Sequence, residues 1–247
     1  VKPLKWEVKL GIGLVTLSVI IYTIKYLVLG NLENTLLYIF NSLGFLMINV
    51  LFVTLVINSL LAMRSRRDKL EKLNMVIGTF FSEIGTQLLT VLSDVDPHLD
   101  KIRGELVITG KWDETNFGKV RTRLNNFEYS VDISRVNLVE LQEFLASKRD
   151  FMIRLLENPV LLEHQSFTEL LMAVFHLTEE LNSRQDLNNL PESDYEHLAG
   201  DIKRVYGLLV SQWLNYMQYV KNNYPYLFSL AMRTNPFDEN ASAIVKG

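Results

Sequence analysis

The run LLYIFNSLGFLMINVLFVTLVINSLLAM, residues 36–63, carries no charged side chain. Nothing else in the chain limits the fold as much. A helix crosses a bilayer with about 20 consecutive apolar residues, and this run exceeds that length. LGIGLVTLSVIIYTIKYLVLG, residues 10–30, is a second such segment, interrupted only by Lys25 and a few hydroxyls. Little more than GNLENT separates the two, so the sequence predicts a tight transmembrane hairpin. The basic start of the first segment would also suit a signal peptide. No small-x-small cleavage pattern follows it and a second span does, so two retained spans are expected.

Flanking charge predicts the orientation. Lys2, Lys5 and Lys9 precede the first span, and Arg64, Arg66 and Arg67, with Lys69 and Lys72, follow the second. The connecting turn carries only Glu33. Cationic residues stay on the cytoplasmic side of a membrane, so both termini are expected there. The location that follows is the cell membrane, multi-pass, with the lipid bilayer as first partner. The arginine cluster then marks the inner membrane surface, and Trp6 and Tyr26 are interfacial aromatics. Lys25 lies about one turn from the outer end of its span. It is expected to snorkel to the headgroups, to pair with Glu33, or with Glu33 to set the charge of an outer pore mouth.

The second span has a polar stripe. At helical spacing Asn41, Ser42, Asn49 and Ser59 fall within one arc of about 100°. Thr54 and Asn58 lie off it. A carboxamide in hydrocarbon needs a hydrogen-bond partner or water, so this face is read either as helix packing or as pore lining.

Beyond the arginines, Leu70, Leu73, Ile77, Phe80, Ile84, Leu88 and Val91 recur every three or four residues, as one buried helical face does. No Pro occurs from residue 36 until Pro97. Residues 36 to about 93 are therefore expected as one nearly continuous helix that crosses the membrane boundary. The rest also reads helical. Asp113 is a predicted cap for the helix after it. Asn137 with Glu140, and Ser166 with Glu169, have capping-box spacing. Leu170, Leu171, Val174, Leu177 and Leu181 form one apolar face. Pro191 opens a long helix, and Pro225 restarts it. ELVIT, residues 105–109, is ambiguous between strand and helix. The fold class expected is all-α: a transmembrane hairpin, 1–63, a cytosolic helical bundle, 64–235, and a loose tail, 236–247.

Chemistry is hard to find. The chain has no cysteine, which excludes disulfides, thiolate metal sites and a thiol nucleophile. Phosphate-binding loops, nucleophile elbows, zinc-protease and EF-hand patterns are missing. From Arg64 onward the formal charge is −5, against +2 before it. That acidic balance disfavours nucleic acid as a partner. His176 and Glu180 are spaced i, i+4, and Asp194 and His197 form Asp-x-x-His, but neither completes a metal-ligand set; Glu163 and His164 are neighbours that point apart. No metal, no cofactor and no enzyme activity are expected. Trp213, Tyr216, Tyr219, Tyr224, Tyr226 and Phe228 form an aromatic cluster read as core or docking surface.

Two functions remain open on the sequence. One is a homo-oligomeric channel lined by the second span and gated by the cytosolic domain. The other is a membrane-anchored scaffold or signalling module that recruits a cytosolic protein partner.

Overall fold

The structure, a computed structural model, describes residues 6–162 and 164–245, without the side chains of residues 6–11, 29, 160 and 162. Lys2, Lys5 and Glu163, and the side chains of Trp6 and Lys9, thus lie outside the described residues. The chain is all-helical, and no strand occurs among the described residues. It divides into two compact units, residues 1–66 and 67–247.

The first unit contains α1 (Trp6–Leu29) and most of α2 (Leu32–Phe80). Two residues join the helices. Gly30 has φ +60°, the left-handed region that glycine enters without a Cβ clash. Its N–H donates to the Tyr26 carbonyl at 2.9 Å and closes α1. Asn31 then caps α2: its side-chain oxygen accepts from the Asn34 N–H at 3.0 Å. Thr16 and Thr23 return their hydroxyls to the Ile12 and Val19 carbonyls, both at 2.8 Å, which satisfies them within the helix.

Helical structure runs without interruption from Leu32 to Asp94, but not with one geometry. A five-residue π turn, Phe81–Gly85, separates α2 from α3 (Thr86–Asp94). A wide turn inserts a residue into the α ladder and rotates the faces beyond it. This corrects the expected stripe. Leu73, Ile77, Phe80, Ile84 and Leu88 are buried as read, whereas Val91 is exposed and Phe81, Leu89 and Leu92 take its place in the core. Leu70 is exposed too.

The second unit is built around α9 (Gln165–Asn182) and α10 (Glu192–Asn223). Leu170, Leu171, Val174, Leu177 and Leu181 are fully buried, the face the sequence predicts. Around this pair lie α4 (Arg103–Leu106), α5 (Glu114–Asn125), α6 (Leu138–Ser147), α7 (Arg149–Leu156), α8 (Pro159–Leu162) and α11 (Pro225–Arg233). Residues 105–109 are therefore the end of a helical turn and irregular backbone. Asp113 and Asn116 form a reciprocal capping box, each accepting from the other's N–H at 2.9 Å. Asn137 caps α6 by accepting from the Glu140 N–H at 3.2 Å.

Two expectations fail locally. Ser166 does not start α9; His164 does, its Nδ1 accepting from the Phe167 N–H. Thr168 donates to the Leu161 carbonyl at 2.7 Å, which holds the preceding turn close and lets the helix begin before the serine. The tail is not loose throughout. Phe237 is fully buried and meets Trp213 edge-on at 5.0 Å. Asn235 fastens it, donating to the Leu106 carbonyl at 2.9 Å and accepting from the Phe237 N–H at 3.0 Å. Beyond it, residues 239–241 and 243–245 are exposed.

Candidate functional site

In the first unit the α2 stripe is left open. Asn41, Asn49 and Ser59 are exposed and Ser42 is half-buried. The Asn41 and Asn49 carboxamides have no hydrogen-bond partner among the described residues. The Leu32–Asp94 helix is long and apolar enough to cross a membrane. Its most apolar window has mean hydropathy 2.3, and none of that window is buried within the chain. The apolar part of α1 that is described, Ile12–Val28, is shorter. Lys25 does not pair with Glu33. Its Nζ sits 3.5 Å from the centroid of the Tyr38 ring, a cation–π contact. Glu33 is exposed, as are Arg64, Arg66 and Arg67.

The second unit gathers four ligand-bearing side chains that the sequence reading kept apart. His176 and Glu180 lie one turn apart on α9; His197 and Asp201 lie one turn apart on α10. The helices run antiparallel, so each histidine faces the acid of the other helix. His176 Nε2 is 3.8 Å from Glu180 Oε1 and 3.5 Å from Asp201 Oδ2. His197 Nε2 is 3.6 Å from Glu180 Oε2 and 3.4 Å from the same Asp201 Oδ2. Glu180, His197 and Asp201 place one ligand atom each within 4.8 Å of one another. His176 reaches both carboxylates.

Asp201 is the buried member, its side chain 5% exposed. Its Oδ2 has no hydrogen-bond partner. The two histidines are about half exposed, which opens the cluster to solvent. Arginines hold the acids from behind. Arg184 grips Asp194 with two bonds, at 2.7 and 2.6 Å, and reaches Glu180 Oε2 at 2.9 Å. Arg204 Nη1 is 3.4 Å from Asp201 Oδ1. The Arg184 bond holds the Glu180 carboxyl below the usual carboxylate range, and Asp194 is lowered for the same reason.

Asp201 is the residue that sequence reasoning missed. The signal was present as a repeat: His-Leu-x-x-Glu at 176–180 and His-Leu-x-x-Asp at 197–201. Either copy alone is commonplace. Two copies on helices joined by a short loop put all four side chains on one seam.

The aromatic cluster is divided. Trp213 and Phe228 are core, Tyr216 is half-buried, and Tyr226 is exposed.

Comparison with known proteins gives the chain a family. Residues 69–233 match the C-terminal helical domain of the uncharacterized protein MJ1433, and residues 2–61 match the MJ1433 N-terminal helical domain. The uncharacterized protein MJ1433 of Methanocaldococcus jannaschii is 45% identical over 237 residues, covering 96% of this chain and 95% of the relative. No solved structure matches. With both helical domains matched and near full-length similarity to that protein, the chain belongs to the MJ1433 family.

Proposed function

We propose that this chain is a homo-oligomeric integral membrane protein of the cell membrane, with both ends cytoplasmic, in which α2 lines a central ion path governed by the helical domain. The observation that supports this reading is the unpartnered polar stripe. Asn41 and Asn49 present free carboxamides in a helix whose apolar window is wholly exposed. In hydrocarbon such groups need another helix or a column of water. Copies of the same chain, arranged around an axis, supply both. Two helices per chain cannot enclose a path, so about four or more copies are required. Lys25 and Glu33 then stand at the outer mouth, and Arg64, Arg66 and Arg67 at the inner surface.

The test is the mass of the full-length particle in lipid nanodiscs, with ion flux measured in vesicles. A ring of four or more subunits, and flux altered by Asn49→Leu or Ser42→Leu, is the expected result. A monomer or dimer would sink the pore. The membrane-anchored scaffold, recruiting a cytosolic protein partner, would then be the reading to pursue.

A further inference from the structure

We propose that Glu180, His197 and Asp201 form a binding site for one divalent first-row transition metal ion of the zinc type, bridging α9 and α10, with the His176 imidazole beside it. The inference is independent of the membrane reading, since every ligand belongs to the second unit.

The distances carry the argument. A protonated imidazole paired directly with a carboxylate closes to about 2.7–2.9 Å. Direct ion pairs on these same helices range from 2.6 Å, Arg184 to Asp194, to 3.4 Å, Arg204 to Asp201. The four histidine–carboxylate separations stay open, at 3.4, 3.5, 3.6 and 3.8 Å. Metal–ligand bonds of about 2.0–2.2 Å in a tetrahedron put ligand atoms roughly 3.3–3.5 Å apart. The separations of His197 from Asp201 Oδ2 and from Glu180 Oε2, 3.4 and 3.6 Å, are near the edge length of a coordination tetrahedron, while His176 faces the other Glu180 oxygen.

Burial is the second, independent observation. Asp201 Oδ2 is buried without a hydrogen-bond partner, and it faces both Nε2 atoms. A buried carboxylate oxygen left so is costly unless something cationic meets it. Arg204 approaches only the other oxygen, Oδ1. Arg184 likewise holds Glu180 through Oε2 and leaves Oε1 toward His176. Arg204 does what outer partners do at metal sites, fixing the Asp201 carboxylate without occupying its metal-facing atom, while Arg184 shares Glu180 Oε2 with His197. An imidazole with two carboxylates suits Zn²⁺ and its neighbours, and no thiolate is present to favour softer ions. Three protein ligands leave the fourth position of a tetrahedral ion to water or to His176.

The test uses full-length protein in detergent micelles, stripped with a chelator and titrated with Zn²⁺ and, separately, Co²⁺. The expected result is one ion per chain, a visible Co²⁺ absorption band of the intensity typical of four-coordination, and a Zn²⁺-dependent rise in melting temperature. His197→Ala and Asp201→Asn should each weaken Zn²⁺ binding at least tenfold and abolish the Co²⁺ band. His98→Ala, outside the cluster, should leave both unchanged. The unliganded Asp201→Asn variant should still give wild-type far-ultraviolet circular dichroism, which separates lost binding from lost fold. Absence of stoichiometric binding, or binding equal in wild type and the His197→Ala variant, would overturn the proposal.

Discussion

Phe81 lies flat against Tyr216, the ring centroids 5.1 Å apart and the planes 15° from parallel. The tyrosine ring also passes 3.4 Å from where a Cβ on Gly78 would stand. One α10 side chain thus packs on both the end of α2 and the π turn. Replacing Tyr216 by Ala removes that packing and is expected to cost about 2–4 kcal/mol. Tyr216→Phe keeps the stack and should cost less than about 1.5 kcal/mol. Chemical unfolding of the two variants in micelles, followed by near-ultraviolet circular dichroism, checks the difference.

The π turn has no room for a side chain at its last residue. A Cβ on Gly85 would stand 2.5 Å from Phe81 Cδ1 and 3.0 Å from Phe80 Cε1. Both rings are buried, and Phe80 is also edge-on to Phe167 at 5.3 Å, so neither can yield freely. Gly85→Ala should destabilise by about 1–3 kcal/mol through overpacking. Gly118→Ala in α5, where nothing lies within 4 Å, should be neutral or stabilising by up to about 1 kcal/mol. Melting temperatures moving in the same direction for both would refute this account.

Asn235 holds the chain end through two buried hydrogen bonds, to Leu106 and from Phe237. Asn235→Ala leaves a carbonyl and an N–H unsatisfied and should cost about 1–3 kcal/mol. Hydrogen exchange should then accelerate around residues 236–242. Unchanged protection there would mean that Phe237 alone secures the segment.

Asp96 should make stability fall with rising pH. Burial raises its carboxyl above the ordinary value of 3.8, against the lowering effect of the His98 backbone N–H, which donates to it at 2.8 Å. Its Oδ2 and the Tyr206 hydroxyl are both buried without a hydrogen-bond partner. Burial, and then Asp96, raise Tyr206 as well. A raised carboxyl pKa means that the folded state binds the proton more tightly than the unfolded chain. Its contribution is therefore most favourable below the unfolded value and is lost as pH climbs through the folded value. Asp96→Asn keeps an acceptor for His98 and carries no charge to desolvate. The variant should be more stable than wild type at neutral pH, with the advantage shrinking in acid. Unfolding free energies measured across pH would test it, and a constant difference would contradict it.

Much of this architecture was legible because local signals agreed with each other. The Asp113 and Asn137 caps, the buried face from Leu170 to Leu181 and the long helix after residue 36 all follow from spacing alone. What was illegible depended on chain path. Ser166 has the right chemistry for a cap, yet His164, two residues earlier, lies beside a loop tied down by Thr168. Lys148 separates α6 from α7 without a Pro or Gly to announce it. Phe237 looks like tail until Trp213 is seen opposite it. The imidazole–carboxylate cluster was hidden differently: its members are ordinary on each helix and meet only because α9 and α10 pair antiparallel in one register.

The wide turn at 81–85 acts as a phase shift. It sets which side chains of α3 face inward, and it does so by count, not by composition. Shortening the chain by one residue at the exposed Ser82 would let a regular α ladder close and would keep Leu88, Leu89 and Leu92 on the inward face. The same deletion inside α3, which has no spare residue to give up, would turn everything after it by about 100°. A one-residue gap is therefore tolerable at 81–85 and disruptive just beyond it.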